Sequence, residues 1–282
     1  MPELPEVETI ARGVDARVRG DRIAEAWFSS HREPFKTSAI RQAKGLEGKV
    51  ILAVHRTGKH IVCELGPGRA GGAAEIDAPA SAQWIVHLGM TGRFLVTTPD
   101  AQVAAHTHAR LRLESGRELR FVDARRFGRL EFRELERTEG FAGAGLEPLT
   151  VGAAEFAALF RGRKLAIKAA LLNQGLLTGV GNIYADESLF QAGIRPRKAA
   201  GRLTRTELER LRVALVEVLE HAIRLGGSSV SDYVDAAGVK GFFQLEHCVY
   251  QRTGEPCRNC GTAILKIVVG GRSTHYCPVC QR

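Results

Sequence analysis

Residues 1–20 read MPELPEVETIARGVDARVRG, and their spacing sets the frame for the rest of the chain. Val7, Ile10, Val14 and Val18 recur at helical intervals, Pro5 suits a first turn, and Gly20 closes the run. This predicts a buried amphipathic helix that fixes an N-terminus which would otherwise fray. Small Pro2 behind Met1 predicts removal of the initiator, leaving a secondary amine at the chain end. An α-amino group titrates near ~8, so a neutral fraction can attack an electrophilic carbon and form a cationic iminium. Glu3 and Glu6 place carboxylates for proton shuttling beside that nucleophile. The plainer reading of the same six residues is a start codon followed by a helix cap, and only the rest of the chain can overturn it.

Outward from the helix the pattern changes to strands at 22–28, 49–55, 59–65, 84–88, 93–96, 108–114, 117–122 and 129–133, with short connections such as Ser115-Gly116. Strands at this density beside one helix predict a β-sandwich. Residues 66–82, GPGRAGGAAEIDAPASA, read as a surface loop, and 134–150, with glycines and Pro148, as an interdomain hinge. Beyond 151 helical patterns run near 153–161, 167–175, 183–192 and 205–225. The last has Thr204 and Glu207 as a capping box, an apolar stripe of Leu208, Leu211, Leu215, Leu219 and Ala222, and Gly226 past its end. Residues 226–241 look like a loop, and the last 40 residues like short strands. The division expected is 1–135, a hinge at 136–150, 151–242 and 243–282.

The chain has 282 residues, enough for two domains, and its net charge of +9 points to a polyanionic partner such as nucleic acid, or to an anionic membrane surface. No secretory leader and no apolar run of spanning length is found, so a soluble intracellular protein is expected. Of the six cysteines, Cys257, Cys260, Cys277 and Cys280 form C-x2-C pairs sixteen residues apart. In a chain without export signals this spacing reads as one structural Zn²⁺ held by four thiolates. A redox or iron–sulfur site is the less natural alternative. Cys63 falls in a strand pattern and reads as a core residue, while Cys248 has no obvious partner. Between the cysteine pairs, Lys266 and Arg272 flank Gly270-Gly271, a basic hairpin suited to a nucleic-acid groove, or else an ordinary solvated one.

Three further stretches carry weaker signals. In TGVGNIYADE (178–187), Asn182 could aim its amide at a phosphate near a helix N-terminus, although a helix–helix turn explains it equally well. In DARRFGR (123–129), Arg125 and Phe127 could enter a base stack while Arg126 meets phosphate, against a core Phe flanked by surface arginines. Met90 in HLGM (87–90) is by default core filling, and Lys59 in TGKH (57–60) an exposed lysine.

Taken in order, MPELPEVET, TGKH, HLGMTG, DARRFG, GVGNIYADESLF, SSVSDYV…GFFQ and the cysteine hairpin resemble the bacterial formamidopyrimidine-DNA glycosylases over nearly the whole chain. The resemblance implies an α+β fold: an N-terminal β-sandwich flanked by helices, then a helix–two-turn–helix domain with a C-terminal β-hairpin zinc finger. It implies excision of oxidised purines, 8-oxoguanine and formamidopyrimidines, from duplex DNA, with β,δ-elimination at the abasic site. Pro2 matches the nucleophile on C1′, Glu3 the proton-transfer carboxylate, Glu6 a supporting one, and Lys59 a lysine at the lesion. Arg272 joins this catalytic set as a phosphate contact. Met90, Arg125 and Phe127 match residues that fill the gap left by a flipped base. His87, Asn182 and Lys266, with Arg126 and Tyr250, match the DNA-contacting set, Lys168 a lysine implicated in lesion handling, and 229–241 a loop over the everted base. A monomer acting on lesion or abasic duplex, with no membrane partner and in the cytoplasm near the nucleoid, is expected. Two rivals are an endonuclease VIII-like enzyme of oxidised pyrimidines and a non-catalytic zinc-ribbon protein that binds damage. Leu4 and the intact DARRFG argue against the first, and Pro2, Glu3 and Lys59 together against the second. Ala124, where relatives often carry proline, and His60 are departures expected to be neutral.

Overall fold

A computed structural model describes residues 1–31, 34–68, 79–136, 138–229 and 233–282. It divides into two compact units, Met1–Ala142 with Ser228–Gly241, and Gly143–Gly227 with Phe242–Arg282.

The first unit begins with α1 (Leu4–Val18), whose Leu4, Val7, Ile10, Val14 and Val18 are fully buried, as the helical spacing requires. Eight strands follow: β1 (Ile23–Phe28), β2 (Val50–Thr57), β3 (His60–Gly66), β4 (Ala82–His87), β5 (Arg93–Thr97), β6 (Thr107–Leu113), β7 (Glu118–Val122) and β8 (Arg129–Glu134). They pair into two antiparallel four-stranded sheets, ordered β1-β6-β7-β5 and β2-β3-β4-β8. One core of α1 and both sheets includes Trp84, Phe94, Phe121 and Phe132. Cys63 is 1% exposed in that core, where burial pushes its thiol pKa upward. The expected sandwich is therefore observed, with one addition. A short helix α2 (Ala39–Leu46), capped by Ser38, lies between the strands expected at 22–28 and 49–55, where no element was read. A Cβ at its Gly45 would stand 2.3 Å from the Phe132 ring, so glycine there lets α2 press on β8.

Of the loop expected at 66–82, residues 69–78 lie outside the described residues; β3 ends at Gly66 and β4 begins at Ala82. Residues 230–232 of the loop expected at 226–241 lie outside them as well. That loop's described residues from Ser228 to Gly241 belong to the first unit: Tyr233 and Ala236 enter the core, and Ala236 O accepts from Val96 N at 2.9 Å on β5.

The second unit contains α3 (Ala153–Phe160), α4 (Ile167–Leu171), α5 (Asn182–Gln191), α6 (Arg205–Arg224), β9 (Leu265–Val269) and β10 (Arg272–Tyr276). Thr204 and Glu207 form the capping box of α6, and Leu208, Leu211, Leu215, Leu219 and Ala222 are buried, as their spacing predicts. α4 stops four residues short of the expected 175, because Asn173 and Gly175 favour turn over helix. β9 and β10 form a two-residue hairpin with Gly270 (φ 57°) and Gly271 (φ 74°) at the turn, both in the left-handed region that a type I′ turn demands.

Candidate active site and metal centre

In the first unit, the head of α1 holds Pro2 and Glu3 in buried positions. The Glu6 carboxylate accepts from Glu3 N at 2.8 Å and from Ser228 N at 2.7 Å, so one side chain brackets the N-terminus and the 228–241 segment. Tyr233 Oη donates to Glu6 O at 3.4 Å beneath it. Its own pKa is raised, by burial first and then by the Glu6 charge. Both Glu6 carboxylate oxygens are thus engaged by backbone N–H groups.

Lys59 sits at the β2–β3 turn beside Gly58, at φ 59°. Arg56 braces the turn from within: its Nε donates to Glu8 of α1 at 2.8 Å and its Nη1 to Gly58 O at 3.2 Å. The sequence reading missed Glu8 and Arg56. Their only signal was a polar side chain on the helix whose other face is buried.

Met90, Arg125 and Phe127 are all exposed, at 43% for Met90 and 49% for Phe127. A default core placement of Met90 and Phe127 is therefore excluded. Their two loops meet at glycine: a Cβ on Gly89 (φ 63°) would lie 2.5 Å from Phe127 C and Gly128 N. Buried Asp123 organises the second loop, with Oδ1 accepting from Thr91 Oγ1 (2.6 Å) and Arg125 N (3.2 Å), and Oδ2 from Gly128 N (2.8 Å). The Arg125 guanidinium stacks on the Phe127 ring at 4.7 Å, and Arg126 adopts φ 55°, a left-handed conformation unusual for a non-glycine. Two exposed apolar side chains and a stacked arginine on braced loops form a wedge.

His87, at the end of β4, accepts from Gly89 N at Nδ1 (3.2 Å), which leaves its proton on Nε2. Burial holds its pKa down to about 4, helped by the nearby cations His60 (when charged), Lys59, Arg129 and Lys36. His60, depressed to about 4 chiefly by burial, packs its ring at a tilt against His87 at 4.7 Å and Phe141 at 4.6 Å. His87 is accordingly a neutral donor at ordinary pH.

In the second unit Asn182 opens α5, and its Nδ2 donates to Ser273 O at 3.0 Å, next to exposed Arg272. Lys266 is exposed on β9, and Tyr250 packs its ring on His275 at 5.1 Å. Lys168, expected as a supporting residue, lies in the same unit. It is 0% exposed, with Nζ 2.7 Å from Asp186 Oδ1, 2.7 Å from Ser273 O and 2.8 Å from Thr274 Oγ1. The ammonium is thus buried with three oxygen partners.

The Sγ atoms of Cys257, Cys260, Cys277 and Cys280 all lie within 4.8 Å of one another, with 3.8 Å for Cys257–Cys280 and 3.5 Å for Cys260–Cys277. Four thiolates about 2.3 Å from a tetrahedral ion stand about 3.8 Å apart, so the residues fit a structural metal. Cys248 is not part of the cluster; its Sγ contacts Glu246 O at 3.7 Å.

With this geometry established, comparison with known proteins is decisive. The sequence matches the formamidopyrimidine-DNA glycosylase N-terminal domain over residues 1–130, the H2TH domain of the same enzymes over 145–234, and the zinc finger found in FPG and IleRS over 254–282. The chain belongs to the formamidopyrimidine-DNA glycosylase family. It is 45% identical over 282 residues to the formamidopyrimidine-DNA glycosylase of Solibacter usitatus, with all of both chains covered. Among solved structures it resembles Lactococcus lactis Fpg with DNA containing an abasic site (TM-score 0.85, 35% identity, 99% of each chain). It is also similar to the wild-type protein of that organism with DNA containing N7-benzyl-Fapy-dG (TM-score 0.85, 34% identity, 100% of each chain). As a formamidopyrimidine-DNA glycosylase it is a DNA-binding enzyme of DNA repair. Among the described residues no helix is long and apolar enough to cross a membrane.

Proposed function

We propose that this glycosylase is also an abasic-site lyase, acting on 8-oxoguanine and formamidopyrimidines in duplex DNA through Pro2. The observation that carries this reading is the bracket at the head of α1, where the Glu6 carboxylate pins Glu3 N–H at 2.8 Å and fixes the residue beside Pro2. Removal of Met1 converts the Pro2 nitrogen from an unreactive amide into a secondary amine. Its lone pair forms a bond to C1′ of the damaged nucleotide; the N-glycosidic bond breaks and its electron pair leaves with the base, which takes up a proton. The amine's proton passes to the buried Glu3 carboxylate and from it to O4′, so that the C1′–O4′ bond breaks and the ring opens to an iminium with a hydroxyl at C4′. That cation acidifies C2′–H. Loss of this proton breaks C3′–O3′, and loss of a second, from C4′, breaks C5′–O5′, the β and δ eliminations. A secondary amine suits the route because its iminium carries a fixed charge.

Reaching C1′ requires the nucleotide to leave the stack at a cost of a few kcal/mol. Met90, Arg125 and Phe127 would fill the vacated space, Lys59 would approach the lesion, and the 229–241 loop would cover the everted base. His87, Arg126, Asn182, Tyr250, Lys266 and Arg272 would contact the DNA. One Zn²⁺ on Cys257, Cys260, Cys277 and Cys280 would hold the hairpin and take no part in the reaction. We place the action of the protein, as a monomer, on cytoplasmic nucleoid DNA, with domains at 1–135, 151–242 and 243–282 about a 136–150 hinge, Ser228–Gly241 packing in the first compact unit.

Product analysis tests the reading. Duplexes carrying one 8-oxoguanine opposite cytosine should yield free base and a one-nucleotide gap with phosphates at both ends. Excision confined to oxidised-pyrimidine duplexes would favour the endonuclease VIII-like rival, and tight binding without cleavage the non-catalytic one.

A further inference from the structure

Two consecutive acids on α5, Asp186 and Glu187, are 0% and 4% exposed and have no part in the chemistry above. Burying two carboxylates costs free energy unless their acceptor capacity is filled. Neighbouring helix positions point about 100° apart, so the two side chains serve different partners. Asp186 Oδ2 accepts from His275 N at 2.9 Å and lies 3.1 Å from His275 Nδ1, while Oδ1 pairs with Lys168 Nζ at 2.7 Å. Lys168 extends the grip to Ser273 O and Thr274 Oγ1, and Asn182 adds a second donor to Ser273 O. Glu187 Oε1 accepts from Val249 N (3.0 Å) and Tyr250 N (2.8 Å), and Oε2 from Cys248 N (2.8 Å). α5 therefore holds both the segment that enters the metal-binding module and the strand that returns to it.

The four cysteines do not supply this hold. Ser273 is four residues from Cys277, about 13 Å of extended chain, so a hairpin anchored by the metal alone would pivot. We propose that Asp186 and Glu187, with Lys168, are positioning residues: they clamp β10 and residues 248–250 to α5, presetting Arg272 and Tyr250 beside Asn182 for DNA. This rests on the reading that Arg272 and Tyr250 contact DNA.

The test is a double-mutant cycle on the full-length, zinc-loaded protein, read by affinity for a duplex with a tetrahydrofuran abasic analogue. Zinc content and Tm are measured alongside. Lys168→Met with Asp186→Leu removes both buried charges together and leaves the His275 N–H without its acceptor, at about 1–3 kcal/mol. The expected result is retained zinc and a folded protein of somewhat lower Tm with about tenfold weaker binding, and an Arg272→Ala effect that falls from about tenfold in the parent to under about threefold in that background. Glu187→Gln, whose single amide oxygen cannot accept all three N–H groups, should couple to Tyr250→Ala in the same way. Additive losses would overturn the clamp, as would loss of zinc or folding in both the paired variant and Asp186→Asn, since the acids would then serve folding alone. If Arg272→Ala weakens binding and the paired variant does not, the clamp fails while the DNA-contact reading stands. If Arg272→Ala and Tyr250→Ala both leave affinity unchanged, the DNA-contact reading itself fails and the clamp's role falls with it.

Discussion

Glu6 and Ser228, 222 residues apart in sequence, are joined by a 2.7 Å hydrogen bond from the Ser228 N–H to the carboxylate that also holds Glu3 N–H. Glu6→Gln keeps one carbonyl oxygen and turns the other acceptor into a donor that faces an N–H. Hydrogen bonds to a charged group contribute about 1.5–3 kcal/mol, and a loss of that size in thermal stability is expected. Cleavage should fall further than duplex affinity, because Glu3 and the 228–241 segment lose their common anchor. Calorimetry and single-turnover kinetics on one preparation check both.

Gly89 stands at φ 63°, where a side chain costs about 1–2 kcal/mol, and a Cβ would also meet Phe127 and Gly128 backbone at 2.5 Å. Gly89→Ala should therefore separate the Met90 and Phe127 loops. The expected outcome is a folded protein that binds abasic duplex but fails to unstack an intact base pair. A 2-aminopurine beside the lesion reports this by failing to brighten.

The neutral state of His87 gives a prediction about salt. A neutral donor releases no counterion, so His87→Ala should weaken DNA binding without changing the slope of log K against log salt, while Lys266→Ala should reduce that slope by about one. Because the His87 pKa is about 4 in the fold and near 6.5 unfolded, the unfolded chain binds the extra proton between those values. Stability from His87, and from His60 at about 4, is present above pH 6.5 and is lost as pH falls toward 4. Thermal melts from pH 8 to 4 should show Tm declining below 6.5, less steeply in His60→Phe.

Chelation of the metal, or Cys260→Ser, should loosen the cysteine-bearing turns at the base of the β9–β10 hairpin while most helix is kept. Loss of DNA binding with little change in far-UV circular dichroism is expected, restored by added zinc in the chelated wild type.

Much of this architecture is legible in the sequence because its signals are local. The eight strands alternate or run apolar between turn residues, α6 carries its own capping box, and the cysteine spacing specifies its cluster. α2 is not legible: eight residues long with a glycine inside, it is stabilised by its seat on Phe132, a contact that no local pattern encodes. The same limit hides the braces of the site. Arg56 on Glu8, Asp123 under the wedge, and Asp186 and Glu187 under the hairpin are ordinary polar residues in sequence. Their partners lie 48 residues away for Arg56, and 89 for Asp186. Lys168, matched to a lysine implicated in lesion handling, is buried in an ion pair with Asp186 that no local pattern encodes.

The central claim is that Pro2 is the nucleophile, and a borohydride trap tests it most directly. Protein freed of Met1 is incubated with duplex bearing one 8-oxoguanine opposite cytosine, reduced, and the adduct mapped by peptide mass. The account predicts a covalent adduct on the Pro2 nitrogen that is absent when Met1 is retained and in Pro2→Gly shifts to the new terminal amine at lower yield. An adduct on Lys59 or another lysine, or none despite cleavage of the duplex, would contradict it.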